Sequence, residues 1–374
     1  MEHPTESLIK SIHIYPVKSC QGLSVTSATL TPYGLDYDRR WAVVSNLPAP
    51  GAEGQGQIET QFDMNFALAK IQTFIYHNIL SLRAPGMKTE LQIPIRASPD
   101  PRRRVQVSAI QRTKLPYAED EGPEASEWLT TFMRMQKPEC TDTFHLVWCP
   151  PDASRSLKKD PRYGPLYTDS QVDEQTAFAD TAQYHVASEA SLQALNEHIQ
   201  GLGNTPIGMS RFRPNIVIEG SELGAWDEDT WKVVQLGRHA KMHMRVCMPD
   251  LRCHVTSLVQ EGAKAGTRDK VLQPIKSLRQ MRKGVLRKGM VFGVKLNNLN
   301  PHSCDVYVDL NDAESAGFRY ETRPVIRVGD SFQVLERMQK SMLQADLDEL
   351  RHSLAVNKRS EETKVTHADL PARL

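Results

Sequence analysis

An α+β chain dominated by strands is what the sequence predicts: an N-terminal β-barrel-like unit, a second β-barrel with peripheral helices, and a C-terminal helix. Three observations carry this expectation. Short β-prone runs separated by turn formers recur from Ile9 to about Ile110 and again from Asn215 to Leu335. Helical spacing of apolar residues is confined to a few segments. At 374 residues the chain is long for a single hydrophobic core, so two units are expected.

The first unit is assigned to residues 8–140. Its β-prone runs are 11–17, 23–30, 40–45, 73–83 and 104–110, punctuated by Pro32-Tyr33-Gly34 and Pro85-Gly86, which predicts a mostly antiparallel arrangement. The stretch 46–56 holds three glycines and two prolines without the Gly-Lys-Ser/Thr ending of a phosphate loop, and reads as a flexible hairpin connection. A helix over 124–136 places Trp128, Leu129, Phe132 and Met133 on one face. Residues 141–175 contain Pro-Pro, Lys-Lys and Tyr-Gly-Pro punctuation and form an irregular connection.

The second unit is assigned to residues 176–336. Ser188-Glu189-Ala190-Ser191 marks a helix N-terminus that carries Leu192, Leu195 and Ile199 inward. Strands resume at 215–219, 231–236, 241–248, 290–295 and 331–335, an order that fits a β-barrel with helices outside it. In the tail, 337–374, Leu343, Leu347, Leu350 and Leu354 recur at helical spacing among charged neighbours, predicting an amphipathic helix packed on its own domain. Residues 358–374 are expected to fray.

Composition narrows the function. Lys and Arg number 46 against 45 Asp and Glu, a formal charge of +1, so overall charge advertises neither nucleic acid nor a membrane surface. No apolar run approaches the roughly 18 residues needed to span a bilayer. The opening Met1-Glu2-His3-Pro4-Thr5-Glu6 has neither a hydrophobic nor an Arg-rich amphipathic character, which leads to the expectation of a cytoplasmic protein. The cysteines Cys20, Cys140, Cys149, Cys247, Cys253 and Cys304 are scattered, and reduced thiols are expected.

The residue with the strongest chemical signature is Cys253, in Met248-Pro249-Asp250-Leu251-Arg252-Cys253-His254, downstream of Ser210-Arg211-Phe212-Arg213-Pro214-Asn215. A thiolate suits a soft or redox-active metal, and closely set Arg and Asn side chains suit a phosphate or a polar heterocycle. Two other uses of these residues stand beside this one. A zinc site from His239, His243, Cys247, Cys253 and His254 is disfavoured by the spacing and by the alternation of a strand, in which His243, Arg245 and Cys247 oppose Met242, Met244, Val246 and Met248. A nucleophilic thiol, its thiolate favoured by Arg252, lacks a recognisable His and carboxylate partner. The chain has no Gly-x-Gly-x-x-Gly after a strand and no Cys-x-x-Cys-His, so any reduction needs electrons from outside.

Several segments in order resemble the molybdenum cofactor sulfurase C-terminal (MOSC) family with its N-terminal β-barrel partner domain. They run from Tyr15-Pro16-Val17-Lys18-Ser19-Cys20-Gln21-Gly22 and Asp38-Arg39-Arg40-Trp41, through Phe178-Ala179-Asp180 and Ser188-Glu189-Ala190-Ser191-Leu192, to Phe212-Arg213-Pro214-Asn215-Ile216 and Glu228-Asp229-Thr230-Trp231. Arg252-Cys253, Lys276-Ser277-Leu278-Arg279, Phe292-Gly293 and Val328-Gly329-Asp330 complete the set. The likeness is greatest to amidoxime-reducing members of the family.

The resemblance implies a second unit that is a MOSC β-barrel and a molybdenum cofactor, in which a pterin (molybdopterin) dithiolene and one protein cysteine hold the metal. Cys253 matches that cysteine and is the implied catalytic and metal-ligating residue. Lys18, Ser19, Arg39, Ser188, Arg213, Asn215 and Arg252 match positions implied to hold the pterin and its phosphate. The implied activity is reductive removal of oxygen from N-hydroxylated compounds such as amidoximes, with a b-type cytochrome and an NADH-dependent reductase as electron donors. The basic residues Lys276, Arg279, Arg282, Lys283, Arg287 and Lys288 are candidates to steer such an acidic partner. The chain departs from the family in a longer approach to the cysteine from Cys247 and in Glu59-Thr60-Gln61-Phe62, which lacks an arginine often found after that threonine. A module that carries cofactor or persulfide sulfur without turnover, and a scaffold whose tail recruits partners, are the alternative functions. Family members occur in mitochondria and cytosol, so mitochondrial association is the alternative compartment.

Overall fold

The computed structural model describes residues 7–48, 53–61, 63–110, 112–159, 173–237, 241–279, 290–299 and 323–339. Seven strands close a barrel in the order Ile216–Glu219, Tyr184–Ser188, Met290–Asn298, Met242–Arg252, Trp231–Leu236, Ser331–Arg337 and Ser7–Ile14, with the last returning to the first. All pairings around the ring are antiparallel except Tyr184–Ser188 with Ile216–Glu219. The short strand Leu23–Val25 extends the sheet from Ser7–Ile14. Closure removes the exposed edges that an open sheet would present. The interior is filled by alternate residues of these strands, among them Ile12, Val186, Ile216, Val234, Met244 and Leu296, each nearly inaccessible.

The opening strand is the main surprise. The sequence division assigns it to the first unit, yet it pairs with Ile216–Glu219 on one side and with Ser331–Arg337 on the other. Its inward positions Ile9, Ile12 and Ile14 belong to the barrel core. The strand Val325–Arg327 likewise pairs with Ser27–Thr31.

A five-stranded antiparallel sheet, Arg104–Val105, Ala118–Asp120, Phe144–Trp148, Trp41–Ser45 and Gln57–Ile58, takes four strands from the first unit and Phe144–Trp148 from the stretch expected to be an irregular connection. A three-stranded meander, Gln72–Tyr76, Ile79–Arg83 and Leu91–Pro94, lies in the first unit. Helix α1 (Pro123–Gln136) packs with both, and Trp128, Leu129, Phe132 and Met133 are buried as the periodicity predicts. The β-prone run 73–83 is a hairpin rather than one strand. His77 and Asn78 both take positive φ (48° and 58°), the two-residue turn conformation that matches strand twist. The run 104–110 is a strand only at Arg104–Val105.

Two further helices flank the barrel, α2 (Glu189–Gly201) and α3 (Leu272–Arg279). In α2, Leu192, Leu195 and Ile199 are buried as predicted and join Ile275, Phe212 and Phe292 in a satellite core. The strand read as ending at Met248 continues through Pro249 and Asp250 to Arg252. Register shifts between Val246 and Met248 and between Pro249 and Leu251 accommodate it, and they break the alternation expected for Cys247. Thus Cys253 follows the end of a barrel strand directly. The leucine repeat of the tail helix, from Leu343 to Leu354, lies outside the described residues, as do His239 and Cys304.

Candidate functional site

A cleft of about 490 Å³ opens where the barrel meets the first unit, and Cys253 lies in its wall. Lys18 and Ser19 come from the turn after the opening strand, Arg39 from the turn before Trp41, and Arg213 and Asn215 from the entry to Ile216–Glu219. Arg252 and Cys253 come from the end of Met242–Arg252. Seven of the eight residues singled out by resemblance therefore converge.

The eighth does not. Ser188 is fully buried and caps α2, accepting a hydrogen bond from the Ala190 amide at 3.2 Å. Its hydroxyl serves the orphan amides of the helix start, so its expected contact with a cofactor is withdrawn. Asn215 lines the cleft but is also committed to protein partners. Its Oδ1 accepts from Arg39 at 3.2 Å and from the His185 amide at 3.1 Å, and its Nδ2 donates to the His13 carbonyl at 3.2 Å.

Three polar residues of this wall hold the left-handed backbone conformation that side chains rarely adopt: Ser19 (φ 72°), Arg39 (φ 49°) and Arg213 (φ 54°). Each costs about 1 kcal/mol or more, and such strain concentrates where a side chain or amide must be aimed. Tyr15 organises the two arginines. Its ring is buried, and the guanidinium carbons of Arg39 and Arg213 lie 4.5 and 4.3 Å from its centroid. Its hydroxyl donates to the Pro214 carbonyl at 3.1 Å.

Charge in the cleft is unbalanced. Lys18 pairs with Asp180 at 2.6 Å and Arg39 with Asp38 at 2.6 Å, while Arg252 and Lys295 share the single carboxylate of Asp250. Among the described residues Arg213 has no carboxylate partner, only the Gln260 Oε1 at 3.1 Å. Burial pushes its guanidinium down to about 10. Burial likewise drives the His185 imidazole down to about 3, so that ring is neutral. The wall thus carries an excess of two positive charges and calls for an anion. Arg252 adds a buried Nε–H that has no acceptor among the described residues.

Cys253 differs from the other cysteines. Cys20, Cys149 and Cys247 are buried, and burial pushes their thiols up to about 12, 11 and 12, so they stay protonated. Cys253 is exposed and begins the turn His254–Ser257, its carbonyl accepting from the Thr256 amide at 3.3 Å and hydroxyl at 3.0 Å. Among the described residues no three of His, Cys, Asp or Glu converge as a metal cluster. His243 turns to Gln235 at 3.1 Å instead. An accessible thiol beside an excess of cationic donors fits a group with a soft metal and an anionic body.

Several functional neighbours escape a reading of the sequence. Gln61, in the segment that lacks the usual arginine, donates to the Ser19 carbonyl at 2.7 Å and to Gln260 at 3.0 Å, and so supports Arg213. His185 and Lys295 share their strands with Ser188 and with Asn297 and Asn298, so their own segments give no distinct signal of them.

Residues 6–136 match the profile of the MOSC N-terminal beta barrel domain, and residues 173–333 that of the MOSC domain. The chain is 29% identical over 276 residues to mitochondrial amidoxime-reducing component 1 of Mus musculus, covering 72% of this chain and 71% of that protein. It is 28% identical over 294 residues to mitochondrial amidoxime reducing component 2 of Bos taurus, covering 76% and 77% respectively. It is 32% identical over 300 residues to a molybdenum cofactor sulfurase of Oryza sativa subsp. japonica, covering 77% of this chain but 32% of that protein. With an N-terminal MOSC β-barrel domain followed by a MOSC domain, the chain belongs to the MOSC family.

Proposed function

We propose that this chain is a molybdenum cofactor-dependent reductase that removes oxygen from N-hydroxylated compounds. The observation that carries the reading is the accessible Cys253 thiol beside a cleft wall with excess positive charge. Cys253 would ligate the metal. Lys18, Arg39, Arg213 and Arg252 would hold the phosphate and polar ring edges of the pterin, with the Ser19 turn beside them. Asn215 supports this through Arg39 rather than through a free side chain.

When bound, the cofactor supplies two-electron redox chemistry and an acceptor for the substrate oxygen. The balance is one N-hydroxyl group, two electrons and two protons in, and one N–H group and one water out. The protein's part is to orient the reactants and to hold Cys253 at a fixed point where a barrel strand ends. Electrons would come from a b-type cytochrome and its NADH-dependent reductase.

The basic run proposed to steer that partner needs revision. Arg279 is buried, pairs with Asp229 through two contacts of 2.7 Å and lies over Trp226, so it takes no part in docking. Lys276 is half-buried. Arg282, Lys283, Arg287 and Lys288 lie outside the described residues. Among the described residues no helix is long and apolar enough to cross a membrane. The compartment we favour is the cytoplasm, with mitochondrial association as the alternative raised by the names of the relatives.

A second reading is favoured by the relative named molybdenum cofactor sulfurase: Cys253 would carry persulfide sulfur or the cofactor to a partner. One experiment separates them. Protein loaded with molybdenum cofactor is assayed for metal, pterin and reduction of benzamidoxime with an artificial reductant. Turnover with that reductant but not with NADH alone, restored by adding the cytochrome and reductase, is expected. A metal-loaded chain inert toward every N-oxygenated substrate overturns the reductase reading in favour of the carrier.

A further inference from the structure

Behind Arg252, the neighbour of Cys253, lies a buried polar set that none of the assigned roles uses. Asp250 accepts from the Arg252 guanidinium through Oδ2, and its Oδ1 lies 3.4 Å from Lys295 Nζ. His185 places Nδ1 3.1 Å from Asp250 Oδ2 and 3.5 Å from Arg252 Nη1. Its other nitrogen, Nε2, lies 3.1 Å from the Phe292 carbonyl. The two ring nitrogens thus face a carbonyl and a carboxylate, which only accept, and the ring packs against the Arg252 guanidinium. Arg252 is therefore held by the Asp250 carboxylate against the His185 ring, and Arg252 and Lys295 both line the cleft.

The backbone is built around this set. Gly293 has φ +72°, and a Cβ there would lie 2.5 Å from His185 Nε2 and 2.4 Å from the Val186 carbonyl. The imidazole occupies the space that a side chain at this position would need. The register shifts flanking Cys247 and Asp250 turn the Asp250 carboxylate into the barrel wall, where it is 4% exposed. Stability alone does not account for these groups, because apolar residues of similar volume replace buried ionic sets at little or no cost.

We propose that Asp250, His185 and Lys295 are a positioning set that fixes Arg252 in the cleft wall and thereby sets how firmly the cofactor is held beside Cys253. The proposal rests on the cofactor reading given above. Asp250 acts through Arg252, so its loss matters only while Arg252 is present. Lys295 balances the shared carboxylate, and the His185 ring packs beside both the carboxylate and the guanidinium.

The test is a double-mutant cycle on the full chain. Wild type, Asp250→Asn, Arg252→Met and the double variant are supplied with molybdenum cofactor, and retained pterin and metal are measured after gel filtration. The thiolate-to-metal absorption is recorded on each. Asp250→Asn is expected to lower retention about tenfold or more, the loss of a charge-assisted hydrogen bond. Arg252→Met should lower it at least as far, and the double variant should retain as much as Arg252→Met alone. Thermal unfolding checks each protein, and His185→Gln or Lys295→Met enters the same cycle if Asp250→Asn does not fold. Wild-type retention in Asp250→Asn, or an equal loss in both backgrounds, overturns the proposal. Wild-type chain that retains no pterin overturns the cofactor reading, and this proposal with it.

Discussion

Glu228 offers a measurement of burial energetics that is independent of any ligand. Its carboxyl is fully buried on the short turn Asp227–Thr230, where Oε2 accepts from the Ser191 hydroxyl at 2.7 Å and Oε1 has no partner among the described residues. Burial raises its pKa from 4.5 to about 7. The native state therefore binds the proton more tightly than the unfolded chain does. The stabilisation of the neutral carboxyl is complete below pH 4.5 and is lost as pH rises through about 7. A rise of about 2.5 pH units corresponds to about 3 kcal/mol. Glu228→Gln keeps the shape and stays neutral at every pH. Urea unfolding of both proteins, followed by tryptophan fluorescence between about pH 4.5 and about pH 8, should show wild type losing up to about 3 kcal/mol relative to the variant. Parallel stability curves across that range would refute the assignment of a buried acid that titrates near neutrality.

Other outcomes follow from the geometry. Cys253→Ser should keep the fold but lose reductase activity and alter the metal spectrum, because a harder oxygen ligand replaces sulfur, while Cys247→Ser should be mild; the check is metal analysis with activity. Neutralising Lys18, Arg39 or Arg213 should cost about 1.5 to 3 kcal/mol of cofactor binding each, read as joint loss of pterin and metal. Intact cofactor content in those variants would assign the three residues to something else. Arg279→Met should destabilise the chain by about 3 to 5 kcal/mol, since it leaves Asp229 buried without its counter-ion. Thermal unfolding reads that cost, and steady-state rates with an electron donor should fall with salt only if docking uses other cations, over a Debye length of about 10 Å at about 0.1 M.

Much of this architecture is legible in the sequence because period and punctuation are local. α1 and α2 bury the faces their spacing predicts, and the strands 216–219 and 231–236 start and stop within a residue or so of expectation. What escapes is non-local. Nothing in the run from Ser7 to Ile14 says that its two barrel neighbours lie beyond residue 215, so its place in the barrel is invisible to periodicity. Pro249 reads as a strand end, yet a register shift carries the strand past it. At the cleft, Cys253, Lys18, Arg39, Arg213 and Arg252 converge as resemblance implies, whereas Ser188 turns out to serve its helix. The supporting partners His185, Lys295, Gln61 and Gln260 are ordinary residues in their own segments and gain meaning only through contacts across the fold.

Closure of the barrel by its opening strand bears on how the chain is made. During synthesis Ser7–Ile14 leaves the ribosome long before its barrel neighbours Ile216–Glu219 and Ser331–Arg337. Until then a strand carrying Ile9, Ile12 and Ile14 has only the short Leu23–Val25 to pair with, although the sheets around Trp41 and α1 contain all the strands they need. Pairings of such long sequence separation form slowly and leave apolar surface open to association. The turn bearing Lys18 is tethered to that waiting strand, so the cleft cannot assemble before the ring closes. A cofactor held there, as proposed, would be accepted only once Ser331–Arg337 has been made.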